Sequence, residues 1–316
     1  MFKNTNSYSL RRWIPYLLFL LIGLTIGVLL QKYIGLGNVL RGVGIPYPTQ
    51  GASTVVVGPV IDEIPESFQG KLYLFILAGQ SNMVGWAPIP AGEKTDPRIY
   101  VFGKDYRWRI ADHPIEDAQD QVDFISENRI AGFGPAMSFA FTSLEHHPDI
   151  VIGLIPCAKN SSGIIQWQKD LSDQSLYGSC LKRVRAASPM GNLAGMLFFQ
   201  GETDAADPVR YPEPVPHPFD WAKLFEAFIT DFRTDLQEPQ LPVVFAQIGP
   251  DAQSDHVPNW ETIQTQQADL RLPMTTMIVT DDLMLLDELH FTADSYRIIG
   301  RRFAEAYWQL AESQVR

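Results

Sequence analysis

The chain has 316 residues, of which 36 are acidic and 25 basic, so its formal net charge at pH 7 is −11. Binding to nucleic acid calls for basic patches, and this acidic balance argues against a nucleic-acid partner. The six histidines and two cysteines do not occur at the spacings of a metal site, so the sequence predicts neither a metal nor another cofactor.

The N-terminal region contains an uncharged apolar stretch from Trp13 to Leu30. Its length is close to the ~20 residues of a bilayer-spanning helix, so residues 13–32 are predicted to form a transmembrane signal-anchor helix. Three basic residues precede it and only Lys32 closely follows, which places residues 1–12 in the cytoplasm and the rest outside it. A cleaved signal peptide and a secreted protein are the alternative, although no small-x-small cleavage site follows the stretch.

Residues 33–70 are rich in glycine, proline and small side chains, as in the segment 42–48. This composition is typical of a linker. The segment from Thr54 to Ile61 is β-prone and can pack on the domain that follows. The folded domain is predicted to cover residues 71–316.

From Lys71 onward, apolar runs that resemble buried parallel strands alternate with amphipathic helical patterns. The two clearest helices are predicted over 219–236 and 293–310. Strand and helix alternation with right-handed crossovers predicts an α/β fold, a three-layer α/β/α sandwich around a mainly parallel, doubly wound, five-stranded sheet. The predicted strands are 72–77, 150–155, 194–199, 242–248 and 276–280, with 99–102 as an edge or additional strand.

Ser81 follows the first of these strands, in the sequence Gly79-Gln80-Ser81-Asn82-Met83. Ligands of open α/β sheets bind beyond the carboxyl ends of the strands, so a serine there faces substrate and its backbone N–H can hold an oxyanion. Such a sequence also makes an ordinary capping turn, and Ser81 alone does not decide between the two.

Polar motifs end two further strands. Gln200 and Glu202 follow the run 196–199, and Asp287 and His290 follow the run 277–280. Histidine can activate a serine hydroxyl near neutral pH when an acid orients its ring, and Asp287 reaches His290 if the two share one helical turn. In the alternative, Asp287 only caps the helix that begins near Thr292 and His290 fills a surface niche. The three motifs together favour catalysis.

These motifs, from about Leu72 to Tyr307, resemble those of the sialate O-acetylesterase and acetylxylan esterase group of carbohydrate esterases, in the SGNH hydrolase superfamily. The segment 132–135, Gly-Phe-Gly-Pro, resembles the glycine block of this group, and 155–158, Ile-Pro-Cys-Ala, followed by Trp167 resembles a further block.

The resemblance implies roles for individual residues. Ser81 would be the nucleophile, His290 the general base and Asp287 its orienting acid. The N–H groups of Ser81 and Gly134 and the side-chain amide of Gln200 would form the oxyanion hole. Two interpretations of Glu202 stay open, since it can orient His290 in place of Asp287 or lie buried beneath the Ser81 turn.

The loop 159–163 departs from the Gly-Gly-Thr sequence usual in the group, and Asn160 and Ser161 are the predicted substrate-binding residues at the pocket rim. Cys157 and Cys180 can pair in an oxidising compartment, but their spacing alone does not establish a disulfide. The sequence does not indicate an oligomeric state.

The sequence therefore predicts a membrane-tethered serine esterase that removes O-acetyl groups from a carbohydrate, sialic acid or an acetylated polysaccharide, through an acyl-enzyme intermediate. Its predicted partners are the acetylated substrate and the membrane. A catalytically inactive sugar-binding protein on the same fold is one alternative. A lipase or thioesterase of the same superfamily is another.

Overall fold

The computed structural model describes residues 60–61, 64–68, 70–128, 130–251 and 254–313. The predicted cytoplasmic tail and transmembrane helix, and most of the predicted linker, lie outside these residues. Among the helices of the described residues, none is long and apolar enough to cross a membrane.

An eight-stranded sheet forms the centre of the fold. Its strands are β1 (Val60–Ile61), β2 (Leu72–Gly79), β3 (Ile99–Phe102), β4 (Trp108–Ile110), β5 (Val151–Pro156), β6 (Asn192–Phe199), β7 (Val243–Ala246) and β8 (Thr275–Ile278). Their order across the sheet is β1-β4-β3-β5-β2-β6-β7-β8. Neighbours from β3 to β8 pair in parallel, whereas β4 pairs antiparallel with β3 and β1.

The prediction of five strands was therefore too low. The run 99–102 is an inner strand, because β4 pairs with its outer edge and β5 with its inner edge. β4 is too short for a hydrophobic pattern to identify it. β1 is the end of the β-prone segment 54–61 of the predicted linker, and it pairs with β4 of the folded domain.

Helices cover both faces of the sheet. The described residues form α1 (Ser81–Val84), α2 (Ala136–His146), α3 (Leu176–Ala187), α4 (Trp221–Leu236), α5 (Trp260–Asp269) and α6 (Ala293–Glu312). Buried side chains of α2 and α6 pack on one face, as at Phe139 and Phe303. Those of α3, α4 and α5 pack on the other, as at Tyr177 and Phe228. These layers confirm the predicted α/β sandwich.

The two predicted helices form with small changes at their ends. Helix α4 begins at Trp221, two residues later than predicted, and Phe219 is 77% exposed. Helix α6 begins after Thr292, whose hydroxyl accepts a hydrogen bond from the Ser295 N–H and so caps the helix.

The strand order places the switch point of the sheet at β2. From β2 the chain moves to β3 and β5 on one side, and then to β6, β7 and β8 on the other. Crevices for ligands open at such points, beyond the carboxyl ends of the strands. The segments that follow β2, β6 and β8 all emerge at this edge of the sheet.

Candidate active site

Ser81 is the first residue of α1, two residues beyond the end of β2. The turn packs tightly on β6, since the Gln80 N–H donates a hydrogen bond to the Phe199 carbonyl at 2.7 Å. Gly79 has φ +124°, and a Cβ there would lie 2.1 Å from the Phe199 carbonyl oxygen. Only glycine fits this position, so Gly79 lets the serine turn approach the sheet.

His290 lies directly beside Ser81, although the two are 209 positions apart. The His290 Nε2 atom is 2.9 Å from the Ser81 Oγ atom, which is hydrogen-bond distance. Ser81 is 6% exposed, so its hydroxyl is largely shielded from water. The imidazole is placed to accept the hydroxyl proton.

Asp287 contacts the other nitrogen of the same ring. Its carboxylate oxygens lie 2.8 and 3.0 Å from His290 Nδ1. The two residues make this contact without a helical turn, because residues 287–290 form a bend in which Asp287 Oδ1 accepts hydrogen bonds from the N–H groups of Leu289 and His290. The helix-capping alternative is wrong as well, since Thr292 caps α6.

The environment of Asp287 keeps its carboxylate ionised. Burial opposes ionisation, but hydrogen bonds from the Leu289 N–H and the His290 ring outweigh it and lower the pKa of Asp287. An ionised acceptor at Nδ1 holds the proton there and leaves Nε2 free to accept one from Ser81.

Glu202 occupies a different position, beneath the serine turn. Its Oε1 atom accepts a hydrogen bond from the Asn82 side-chain amide, whose oxygen in turn accepts one from the Tyr296 hydroxyl at 2.6 Å. Within the described part of the chain, its Oε2 atom has no hydrogen-bond partner. Burial raises the pKa of Glu202 to about 7. Of the two interpretations, the geometry matches the buried carboxylate.

Gly134 lies next to the serine turn. Its backbone N is 2.6 Å from the position that a Cβ on Gly85 would take, so the two glycines allow the loop and the end of α1 to touch. Gly85 itself has φ +92°, which favours glycine. Among the hydrogen bonds of the described residues, none is donated by the N–H of Ser81 or of Gly134. Both are available to a ligand.

The predicted role of Gln200 does not agree with the structure. Its side-chain amide donates to the Asp204 carboxylate at 2.6 Å and the Ser162 carbonyl at 3.0 Å, with Gln80 Oε1 at 3.3 Å. Its oxygen accepts from the Trp221 indole at 2.8 Å. Because Gln200 is fully buried and its amide protons are engaged, it braces the strand ends and does not face a substrate.

The predicted rim loop is fixed beside the serine turn. The Lys159 N–H bonds to the Gly79 carbonyl at 2.9 Å. Asn160 faces another loop, since its side-chain amide donates to the Ile130 carbonyl at 2.7 Å and its N–H to Asn128 Oδ1 at 2.8 Å. Ser161 is exposed, with φ +57°. Their substrate-binding role stays a prediction.

Buried ion pairs and a disulfide lie behind this loop. Lys104 pairs with Glu116 at 2.8 Å, and both side chains are almost fully buried. Arg183 pairs with Asp123 at 2.7 Å. Cys157 and Cys180 form a disulfide with their Cα atoms 5.3 Å apart. Glu116 also accepts a hydrogen bond from the Ala158 N–H at 2.9 Å. This bond ties the segment that contains Glu116 to the residues between the end of β5 and the rim loop.

Trp86 was missed by the sequence analysis. Its indole stacks on the imidazole of His290, with ring centroids 4.3 Å apart and planes 12° apart. The signal available was a large aromatic residue five positions after Ser81, in a segment that already carried the serine. Within the described residues, no group of His, Cys, Asp and Glu side chains is arranged to hold a metal ion.

A known family profile matches most of the chain. The profile of the family "carbohydrate esterase, sialic acid-specific acetylesterase" matches residues 71–309. The chain belongs to this family. The resemblance seen in the three motifs is thereby confirmed.

Individual members agree with this membership. A probable carbohydrate esterase from Arabidopsis thaliana is 27% identical over 253 residues, which cover 74% of this chain and 89% of the relative. A crystal structure of an Arabidopsis thaliana protein superposes with a TM-score of 0.63 at 25% identity and covers 75% of this chain and 98% of its own. The structure of NanS superposes with a TM-score of 0.60 at 19% identity over 78% and 99% of the two chains, which shows the common fold.

Family membership makes the protein a carbohydrate esterase, an enzyme of the carboxylic ester hydrolase class. The matched region contains all the site residues described above, from Ser81 to His290. In this carbohydrate esterase, they lie at the carboxyl edge of the sheet, where open α/β sheets bind their ligands.

Proposed function

We propose that the protein is a serine esterase that removes O-acetyl groups from a carbohydrate through an acyl-enzyme intermediate. The observation that carries the proposal is the continuous chain from Ser81 Oγ to His290 Nε2 at 2.9 Å and from His290 Nδ1 to Asp287 at 2.8 Å. A serine hydroxyl, an imidazole base and an orienting acid in this order are the requirement for nucleophilic ester cleavage.

In the first half-reaction, Ser81 Oγ attacks the acetyl carbonyl carbon while its proton passes to His290 Nε2. Asp287 stabilises the imidazolium that forms. The carbonyl oxygen becomes an oxyanion, which we expect the N–H groups of Ser81 and Gly134 to bind, since neither donates a hydrogen bond within the described residues. When the intermediate collapses, the bond to the sugar oxygen breaks and His290 returns its proton to that oxygen, so the sugar leaves with a free hydroxyl.

In the second half-reaction, water attacks the acetyl group on Ser81, and His290 accepts a proton from this water. The second oxyanion collapses, the bond to Ser81 Oγ breaks and His290 gives the proton back to the serine. The products are acetate and the regenerated enzyme, so the reaction consumes one water and needs no cofactor.

Membership of the acetylesterase family supports a carbohydrate substrate from which an acetyl group is removed. The hydrogen-bond contact between Ser81 and His290 argues against the inactive sugar-binding alternative. The lipase and thioesterase alternatives predict a preference for long acyl chains.

The proposal is tested with the full-length chain in detergent, using 4-nitrophenyl acetate and 4-nitrophenyl decanoate. We expect faster hydrolysis of the acetate and trapping of Ser81 by a fluorophosphonate probe. A higher kcat/KM for the decanoate would replace the proposal with a lipase. Absence of hydrolysis and of Ser81 labelling would replace it with a sugar-binding protein.

We also propose an extracytoplasmic location for the esterase domain, on the basis of the apolar stretch 13–30 and the basic residues before it. Protease added to intact spheroplasts should then digest the domain. Protection until the membrane is permeabilised would place the domain in the cytoplasm.

A further inference from the structure

Three exposed side chains from three loops meet beside the bend that carries His290. Tyr211 comes from the loop between β6 and α4, His256 from the loop between β7 and α5, and Glu288 from the loop between β8 and α6. The rings of Tyr211 and His256 are 6.3 Å apart at 65°, and His256 Nδ1 is 3.8 Å from Glu288 Oε2. We name these three residues the outer-loop cluster.

The outer-loop cluster is open to solvent. Tyr211 is 46% exposed, and the side chains of His256 and Glu288 are 51% and 65% exposed. The catalytic mechanism uses none of them. Large apolar side chains of the same loops are exposed as well, Val209 and Val215 before α4 and Met284 and Leu286 before α6.

The cluster has a fixed position relative to the serine. Glu288 precedes His290 by two residues, and the carbonyl of the intervening Leu289 accepts a hydrogen bond from the Asn82 side chain at 2.9 Å. The loops also bond to each other, since the Asp207 N–H donates to the His256 carbonyl at 2.9 Å. Ser254 Oγ contacts Glu288 Oε2 at 3.3 Å. These contacts tie the cluster to the bend that carries His290.

The chemistry of the cluster suits a sugar ring. A tyrosine ring offers an apolar face for the C–H groups of a pyranose and a hydroxyl at its edge. A carboxylate and an imidazole hydrogen-bond to sugar hydroxyls, and bonds to the charged carboxylate are the stronger ones. These are the groups that hold a polar ring in a wet, open groove.

The charges around the cluster disfavour an anionic ligand. Glu288 follows Asp287 directly, and both carboxylates are exposed to solvent, with side chains 65% and 43% accessible. Asp207 lies in the loop of Tyr211, and Arg210 of the same loop faces Asp207 at 3.8 Å. The three carboxylates of Asp207, Asp287 and Glu288 outnumber the guanidinium of Arg210, so a carboxylate on the ligand would meet net repulsion and an uncharged sugar would not.

We propose that Tyr211, His256 and Glu288 form a second sugar-binding subsite, which holds an uncharged sugar residue next to the acetylated one at Ser81. This inference rests on the proposed esterase function. It identifies the substrate class as an acetylated neutral oligosaccharide and disfavours O-acetylated sialic acid.

The test compares kcat/KM of the full-length enzyme on acetylated xylotetraose, an acetylated methyl xyloside and 4-nitrophenyl acetate. We expect the wild type to prefer the tetraose over the xyloside. Tyr211→Ala and Glu288→Gln should each lower the ratio of kcat/KM for the tetraose to that for 4-nitrophenyl acetate by about tenfold, the effect of one hydrogen bond or ring contact. Glu305→Gln, at an exposed position on α6 outside the three loops, is the matched control for Glu288→Gln and should leave the ratio unchanged.

Two results would overturn the subsite. One is an unchanged ratio in both variants, and the other is equal hydrolysis of the tetraose and the xyloside by the wild type. Calorimetric titration of Ser81→Ala with unacetylated xylotetraose tests the subsite without turnover. Binding that Tyr211→Ala abolishes would support it even if no esterase activity were found, so failure of the subsite and failure of the esterase proposal are distinguished. Faster hydrolysis of O-acetylated N-acetylneuraminic acid than of the tetraose would contradict the substrate class.

Discussion

The indole of Trp86 lies flat on the imidazole of His290, with ring centroids 4.3 Å apart and an angle of 12° between the planes. The contact covers one face of the imidazole and restrains its rotation while Asp287 holds Nδ1. An aromatic face also attracts a cation, so the stack favours the imidazolium that forms when Ser81 loses its proton. Trp86 is therefore a positioning residue that acts through His290.

Replacing Trp86 tests this relationship. We expect Trp86→Leu to lower kcat about 2- to 30-fold with little change in KM, because a cation–π contact contributes about 0.5 to 2 kcal/mol. Trp86→Phe should recover most of the loss, since it restores an aromatic face. The measurement is steady-state kinetics on 4-nitrophenyl acetate with thermal unfolding as the fold control. A leucine variant that is folded and keeps wild-type kcat would show that the stack is only structural.

Ser81→Ala should abolish turnover and leave the fold intact. Removal of the hydroxyl takes away the atom that forms the acyl-enzyme, and loss of a member of such a triad costs about 10⁴- to 10⁶-fold in rate. His290→Ala should be similarly damaging. Burst kinetics and melting temperature are the measurements. More than a tenth of wild-type turnover in the alanine variant would show that Ser81 is not the nucleophile.

Replacing each candidate acid by its amide should show whether Asp287 or Glu202 orients His290. Asp287→Asn should lower kcat about 10³- to 10⁴-fold, because an amide beside Nδ1 favours the wrong tautomer of His290. Glu202→Gln should lower kcat less than about tenfold, because Glu202 contacts Asn82 rather than the ring. Both variants are compared at equal folded concentration. The opposite ranking would transfer the orienting role to Glu202.

The pH dependence of stability reports on Glu202. Burial raises its pKa to about 7, above its ordinary value of 4.5. The stability that this group contributes is fully present below the unfolded pKa and is lost as pH rises through about 7. Between pH 5 and pH 8 the wild type should therefore lose on the order of 2 to 3 kcal/mol more free energy of unfolding than Glu202→Gln.

Urea unfolding followed by tryptophan fluorescence at the two pH values measures this difference. Glu305→Gln is the matched control, because it makes the same change of side chain at an exposed position on α6. Equal slopes in the wild type and Glu202→Gln would exclude a raised pKa for Glu202.

Gln200→Ala should lower stability rather than catalysis. The substitution leaves the Trp221 indole without its partner and removes one of three hydrogen bonds to the buried Asp204 carboxylate, and a loss of this kind costs about 1 to 3 kcal/mol. The kcat per folded molecule should fall less than about tenfold. Loss of an oxyanion donor would instead cost about 10²- to 10³-fold in kcat, and that result in a stably folded variant would return Gln200 to the oxyanion hole.

The sequence by itself determined the fold class and the edge of the sheet where the site lies. Apolar runs alternating with amphipathic helices require a layered α/β structure, and the polar motifs follow the runs that became β2, β6 and β8. Because parallel strands end at a common edge, Ser81, Glu202 and His290 had to emerge near one another.

Only the tertiary structure decided which of these side chains touch. Asp287 and Glu202 are both acids near the end of a strand, and the bend at 287–290 directs one to His290 while the other lies beneath the Ser81 turn. Gln200 has the chemistry of an oxyanion donor, but its amide is engaged by Asp204, four residues later. The chain order determines which edge a residue reaches, whereas its hydrogen-bond partner depends on side-chain directions and, for Glu202 and Asn82, on two segments 120 residues apart.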